Sequence, residues 1–309
     1  MIGWWSEFMR FISEIQKKKA ESGQPVLSVE FFPPKTDKGM ETLFDQTLMD
    51  LDRLDLDFCS VTYGAGGSTT DKTLGMVRQI QESLQIPAMM HLTCVNSTRS
   101  QLAEVVDKAV EGGIQNILAL RGDPPGGTGE FVATEGGFEY SYQLVDYLKK
   151  RGGLCIGTAG FPEGHIHCRD GKKADWDHLV NKINHGADFV VTQLFFDNQD
   201  FFEFRDYVNG KLGREFPFEV GVLPVVSGRQ LRKFTELCGS SIPAPMMAKL
   251  DELGDDDEAV TEFGIEYASR QLEELIREKV SGIHFYCLNK SYSTLKVCEN
   301  LGLKGTRGK

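Results

Sequence analysis

A chain of 309 residues with 40% hydrophobic and 26% charged side chains is long enough for a large core and falls within the range of one α/β barrel domain. A net charge of −11 and a pI of about 5.1 argue against nucleic acid or an anionic membrane as the main partner, since both are held by concentrated Lys and Arg. No apolar run approaches the ~20 residues of a bilayer span, and the N-terminus lacks a basic leader with a cleavage site, so the expected location is the cytoplasm. Seven scattered cysteines without a C-x-x-C pair indicate neither a disulfide framework nor a zinc site.

Met1 to Ala20 reads as an amphipathic helix with Trp4, Trp5, Phe8, Phe11, Ile12 and Ile15 on one side and Lys17-Lys18-Lys19 at its end. Its stripe is expected to dock on the protein body or a second subunit, with a membrane-surface anchor as the minor alternative. Residues 1–24 are therefore set apart from a unit spanning 25–309. From Val26 onward one grammar repeats: a short β-branched or apolar run, a Gly/Pro/polar loop, then a stretch with helical spacing. Strands are expected at Val26–Phe32, Phe58–Tyr63, Ala88–Thr93, Asn116–Leu120, Cys155–Ala159, Phe189–Leu194, Glu219–Leu223 and Gly282–Cys287. Eight βα units in one domain predict a closed (β/α)8 barrel of the TIM type with an extra N-terminal helix. The competing doubly wound sheet would announce a G-x-G-x-x-G turn, and none is present. Before the last strand, an extra segment carries Pro243, Pro245 and the acidic run Asp255-Asp256-Asp257-Glu258, which reads as a helix N-terminus. Cys59, Cys94, Cys155 and Cys287 lie in the strand-like runs and read as core filler.

Barrel sites form at strand C-termini, which here carry Glu30; Thr62 and Tyr63; His91 and Thr93; Arg121 and Asp123; Phe161 and His165; Gln193; Asn289 and Lys290. Glu30 and Asp123 each end an apolar run, where a charge loses water and shifts its pKa unless it is paired. Arg121 with Asp123 also reads as a plain ion pair, His91 and Gln193 as hydrogen-bonded core groups, and Phe195-Phe196 as core. Glu30 is followed by Phe31, Phe32 and two prolines with no cation beside it in sequence, so a raised pKa is expected. The six histidines have no metal-binding spacing, and no G-x-S-x-G elbow is present, so neither a metal centre nor a Ser-His-Asp site is expected.

Ordered blocks now carry a resemblance: Val29-Glu30-Phe31-Phe32-Pro33-Pro34, Ser60-Val61-Thr62-Tyr63-Gly64-Ala65, His91-Leu92-Thr93-Cys94, Leu120-Arg121-Gly122-Asp123, Gly136-Gly137-Phe138-Glu139-Tyr140, Ala159-Gly160-Phe161-Pro162, Gly186-Ala187-Asp188 before Thr192-Gln193-Leu194-Phe195-Phe196, and His284-Phe285-Tyr286-Cys287-Leu288-Asn289. From Val26 to Leu303 the chain resembles the catalytic domain of methylenetetrahydrofolate reductase, in a short form without a C-terminal regulatory domain. The resemblance implies a self-associating barrel that holds FAD. It also implies a ping-pong reaction in which NADH or NADPH supplies electrons and 5,10-methylenetetrahydrofolate is reduced to 5-methyltetrahydrofolate. It makes Glu30 the general acid at N10 and Asp123 the charge that stabilises the iminium and tunes the flavin. Thr62, Tyr63, Ala65, His91, Arg121, Gly122, Asp123, Tyr140, Ser141, Phe161, His165, Asp175, His178 and Lys182 match flavin-contacting positions. Asp123, Gln193, Gln230, Phe234 and Lys290 match the substrate side.

Departures from the family pattern are Phe161 for a usual Tyr, Lys290 for the Arg after the Leu-Asn pair, and Ile166-His167 for a common Pro-Glu. His178 and Asn181 also stand where polar residues vary. Two other classes compete. One is a barrel enzyme such as a pterin-dependent methyltransferase or a Schiff-base aldolase, for which only Lys290 lies near a strand tip. The other is a noncatalytic subunit that binds folate or flavin.

Overall fold

The structure, a computed structural model, describes residues 11–63, 70–123 and 131–307. Eight parallel strands close in chain order into a barrel: β1 (Val26–Phe31), β2 (Phe58–Val61), β3 (Ala88–Thr93), β4 (Asn116–Leu120), β5 (Cys155–Gly160), β6 (Phe189–Thr192), β7 (Phe218–Val222) and β8 (Gly282–Phe285). The expected (β/α)8 architecture is present, and each strand begins where its sequence run begins except β7, which starts one residue earlier. Several tips leave the ladder sooner than expected. In β1 the cause is Pro33 and Pro34, which have no N–H with which to continue it.

Helix α1 (Ile12–Ser22) precedes the barrel; α2 (Asp37–Thr42), a π-helical turn (Leu43–Thr47) and α3 (Leu48–Asp52) join β1 to β2. Then α4 (Thr70–Leu84), α5 (Arg99–Glu111), α6 (Ser141–Arg151), α7 (Lys172–Asn184) and α8 (Asn198–Leu212) follow β2 to β6 in turn. Between β7 and β8 lie α9 (Gly228–Cys238), α10 (Ala244–Leu253) and α11 (Asp257–Arg277), and α12 (Tyr292–Leu301) follows β8. Asp256 caps α11 by accepting a hydrogen bond from Ala259 N at 3.1 Å, so the acidic run is a helix start as expected. No described helix is long and apolar enough to cross a membrane.

Alternation along the strands separates two cores. Val29, Phe31, Val61, Met90, Ile117, Ile156, Val190, Val220 and Ile283 pack in the layer between barrel and helices. Val26, Phe58, Met89, Leu118, Cys155, Phe189 and Val191 form a second cluster together with Ile12 and Ile15 of α1. Phe195 lies in the first of these, while Phe196 joins a satellite cluster with Leu231 of α9 and Met246 of α10. The four strand cysteines are buried, as their positions suggested.

Helix α1 ends two residues later than the sequence indicates, and residues 1–10, with Trp4, Trp5 and Phe8, lie outside the described residues. Its described apolar residues dock on the protein body: Ile12 and Ile15 are fully buried, each contributing about 1.5–3 kcal/mol. Lys19 does not belong to a solvated basic cluster. It is buried 3.0 Å from Asp57 Oδ2, and Asp57 also accepts hydrogen bonds from Leu27 N (2.9 Å), Thr306 N (2.7 Å) and Thr306 Oγ1 (2.8 Å). One buried carboxylate thus ties α1, β1 and the C-terminal segment together.

Beside this knot, Glu219 of β7 is fully buried, accepts a hydrogen bond from Gln16 Nε2 at 2.7 Å, and lies so close to Gly282 that a Cβ there would overlap its carboxylate. Burial pushes the Glu219 carboxyl up to about 8, with Gln16 and Lys19 opposing and Asp57 adding to the rise. A raised folded-state pKa means the associated stability is fully present below the unfolded value near 4.5 and is lost as pH rises through about 8. Glu219→Gln, a neutral isostere, should match the parent in denaturant titrations at pH 4.5 and exceed it by a few kcal/mol at pH 9. Parallel stability curves from pH 4.5 to 9 would contradict a neutral Glu219.

Candidate active site

Strand alternation puts Ser28 and Glu30 on the same side of β1, and the parallel register sets Glu30 opposite Ser60 of β2 and Ser28 opposite His284 of β8. Ser28 Oγ donates to Ile283 O at 3.2 Å, so it accepts from His284 Nδ1–H at 2.7 Å, an assignment made from this network. The other ring nitrogen, Nε2, is 3.3 Å from Ser60 Oγ and 3.6 Å from Glu30 Oε2, and Ser60 Oγ donates to Glu30 Oε2 at 3.4 Å. From β3, His91 Nε2 approaches the same carboxylate oxygen at 3.3 Å, without the alignment of a full hydrogen bond. All five side chains are buried.

This cluster corrects the expectation for Glu30. Burial alone raises its pKa, but the close approach of His91 and His284 outweighs it and holds the carboxyl down at about 2. The sequence around Glu30 shows no cation because both imidazoles come from distant strands. Ser28, Ser60 and His284 received no role from sequence. Their signal is polarity at alternate positions inside apolar runs, which marks an interior face that is not packed with hydrocarbon.

The second expected acid behaves differently: Asp123, at the β4 tip, is exposed and has not lost its water. It stands near His165, whose pKa falls to about 4 through burial and the charges of Arg121 and His167, while Asp123 opposes the fall. His165 is therefore neutral at pH 7. It accepts from His167 N at Nδ1 (3.1 Å) and meets the Phe161 ring edge-on at 4.6 Å. Lys182 of α7 reaches Ala159 O at the β5 tip at 2.5 Å, and burial lowers its pKa to about 8, with Asp175 opposing. Burial raises the Asp175 carboxyl, and Lys182, His178 and Arg121 pull it back. Arg121, Asp123, His165, Asp175, His178 and Lys182 thus form one electrostatic group.

Lys182 also corrects the reading that only Lys290 is a lysine near a strand tip. Lys290 is exposed, whereas Lys182 is the desolvated one, although its ammonium is engaged by a carbonyl rather than presented as a free amine. Thr62 and Tyr63 follow β2, with Thr62 N donating to Phe31 O at 2.9 Å. Arg121 lies 4.9 Å over the Phe131 ring. Tyr140 caps α6 beside Ser141, stacks on Tyr142 at 6.0 Å, and has its hydroxyl pushed up by Glu139. Ala65 lies outside the described residues. Gln193 follows β6 and bonds back to Leu194 N at 2.9 Å; Gln230 is exposed on α9, and Phe234 packs half-buried in the satellite cluster.

Because the barrel is a ring, these positions fall on two arcs. The positions matched to the flavin lie on or after β2 to β5 or on α7, those matched to substrate alone follow β6 and β8 or lie on α9, Asp123 after β4 belongs to both sets, and Glu30 on β1 stands between β8 and β2. A groove of about 440 Å³ between α11 and α12, lined by Glu262, Arg270, Tyr292 and Lys296, lies on the outer helical layer away from this chemistry. Among the described residues no group of three or more His, Cys, Asp or Glu is placed to hold a metal ion.

Fold and site together define a (β/α)8 barrel with a buried acid–imidazole cluster near the mouth, flanked by a cationic, ring-bearing arc. The chain belongs to the methylenetetrahydrofolate reductase family, whose match covers residues 15–302. It is 36% identical over 308 residues to methylenetetrahydrofolate reductase (NADH) 1 of Arabidopsis thaliana, covering 96% of this chain and 51% of that protein. It thus spans about half the length of that plant relative. Against 5,10-methylenetetrahydrofolate reductase of Escherichia coli the identity is 34% over 282 residues, covering 91% and 92%. A Clostridium thermocellum protein that binds two copies of 5-methyl-5,6,7,8-tetrahydrofolic acid shares the fold, with a TM-score of 0.63 at 15% identity over 93% of this chain and 98% of that one.

At the β4 tip, against the end of β3, Gly122 has φ +85°, and a Cβ there would come within 2.8 Å of Val95 Cγ1 and 3.0 Å of Thr93 Cβ. Gly122→Ala is therefore expected to lose roughly 1–3 kcal/mol in chemical denaturation. An unchanged midpoint would contradict a β4 tip that needs this backbone.

Proposed function

We propose that the protein is a flavin-dependent reductase that converts 5,10-methylenetetrahydrofolate to 5-methyltetrahydrofolate with NADH or NADPH as electron donor. Membership of the family supports the reaction class. The observation that carries it is a buried carboxyl at the β1 tip, in contact with His91 and His284 and placed between two arcs of differing chemistry.

The first arc fits FAD. Arg121 and Lys182 bring cationic donors suited to its phosphates, Phe161 and Tyr140 offer rings, and Thr93 Oγ1 is buried at the β3 tip with no hydrogen-bond partner among the described residues. Bound there, FAD supplies two-electron hydride chemistry that a nicotinamide and a folate use in turn, a ping-pong order.

The chain's own residues manage the proton and the charge. The folate's five-membered ring opens only when N10 is protonated, leaving a cationic iminium at N5. In the resting protein Glu30 is ionised, held so by His91 and His284. Removing the water left at the mouth favours the neutral acid, so Glu30 takes up a proton from solvent as folate binds and passes it to N10. Asp123 offers a fixed negative charge to the iminium. Gln193 and Gln230 offer amides to the pterin side, Phe234 a stacking ring, and Lys290 a point charge for the carboxylates of the glutamate tail.

The test separates the two half-reactions. Protein loaded with FAD should show oxidised-flavin absorption bands and bleach with NADH or NADPH in stopped flow. Glu30→Gln should keep that bleaching, while reoxidation by 5,10-methylenetetrahydrofolate slows by roughly 10²- to 10⁴-fold. Equal loss of both half-reactions would make Glu30 structural, and protein that stays colourless after loading would overturn the flavin assignment.

A further inference from the structure

The regular β1–β8 ladder ends at Val29 opposite Phe285, one residue short of Glu30. Beyond that point β8 holds β1 through side chains. Cys287 Sγ donates to Glu30 O at 3.2 Å, and the Asn289 amide pairs with both backbone groups of Phe32: Phe32 N donates to Oδ1 at 2.9 Å, and Nδ2 donates to Phe32 O at 2.7 Å. A primary amide reproduces the donor and acceptor of one peptide unit, so Asn289 supplies the rung that the backbone of β8 no longer reaches.

Getting it there requires an uncommon backbone. Leu288 and Asn289 are consecutive left-handed residues, at φ 53° and 57°, and Thr47 Oγ1 donates to Asn289 O at 3.2 Å from the π-helical turn. Asparagine tolerates this conformation better than most side chains; leucine does not, and such strain persists where surrounding contacts enforce it. Aspartate would accept from Phe32 N but repel Phe32 O. Glycine would relax the turn but offer no amide.

We propose that Asn289 is a positioning residue for the proton-transfer step: its side-chain rung fixes the β1 tip from Glu30 to Phe32 and so aims the Glu30 carboxyl between His91, His284 and the substrate. This rests on the reading of Glu30 as the acid in folate reduction. Asn289 sits at the β8 tip beside Lys290, which faces substrate in that reading, yet its own amide is spent on the backbone of β1.

The experiment uses the full chain loaded with FAD and three variants, Asn289→Gly, Asn289→Asp and Glu30→Gln, with both half-reactions followed in stopped flow across pH. Asn289→Gly keeps a backbone comfortable at φ 57°, so its melting temperature reports whether the fold survives. Both Asn289 variants should slow reoxidation at saturating 5,10-methylenetetrahydrofolate on the order of 10- to 100-fold, the penalty of a misaimed group. The pH profile of that step should move, while flavin reduction by NADH stays near the parent rate. A merely structural role would lower both half-reactions together and leave the pH profile in place, and that result overturns the proposal. Parent-like reoxidation in both Asn289 variants while Glu30→Gln collapses overturns the positioning role alone. Parent-like reoxidation in Glu30→Gln overturns the positioning role and the acid assignment together.

Discussion

A carboxylate taken out of water has to be neutralised or paired, and in this barrel that requirement falls on Glu30. The closed parallel sheet turns alternate residues inward, so the partners come from interior positions of β1, β2, β3 and β8 near the same height. His91, His284, Ser60 and Ser28 occupy those places. Burial and the two histidines act on Glu30 in opposite directions, and the histidines prevail.

The two ends of the barrel solve the same problem differently. At the N-terminal end, α1 is inserted with two isoleucines for hydrocarbon contact and Gln16 and Lys19 for the acids Glu219 and Asp57. There burial wins over pairing for Glu219, which stays neutral, whereas Lys19 and Asp57 form a direct pair. At the C-terminal end the interior stays polar, backbone ladders give way to side-chain contacts, and Gly122, Leu288 and Asn289 adopt left-handed backbone. Among the described residues both ends keep buried polar atoms without a hydrogen-bond partner, Gln16 Oε1 and Glu219 Oε2 at one and Thr93 Oγ1 at the other.

Most of the fold was legible because parallel barrel strands are short apolar runs at regular intervals, and period-based reading works best on such segments. The arcs of the site were legible once strand ends were known, since chemistry collects there in this architecture. What stayed hidden was non-local. The charge state of Glu30 depends on His91 and His284, brought to it only by sheet closure, and the low pKa of Lys182 depends on a reach from α7 to the β5 tip. Lys19 looked like part of a basic cluster because sequence shows its neighbours Lys17 and Lys18, not the Asp57 awaiting it. Asp123 looked as buried as Glu30 because both end apolar strands, but its chain leaves the barrel wall at Gly122 and carries it into solvent.

The account stands on where the proton sits in the resting protein. Infrared difference spectra between the parent and Glu30→Gln, recorded at neutral pH without folate, read this directly. The pairing described here predicts that the parent shows the symmetric and antisymmetric stretches of an ionised carboxylate that the variant lacks, with no protonated C=O band assignable to Glu30. A protonated carboxyl band in the parent that vanishes in Glu30→Gln would contradict it, and would mean that burial rather than the two histidines governs the acid.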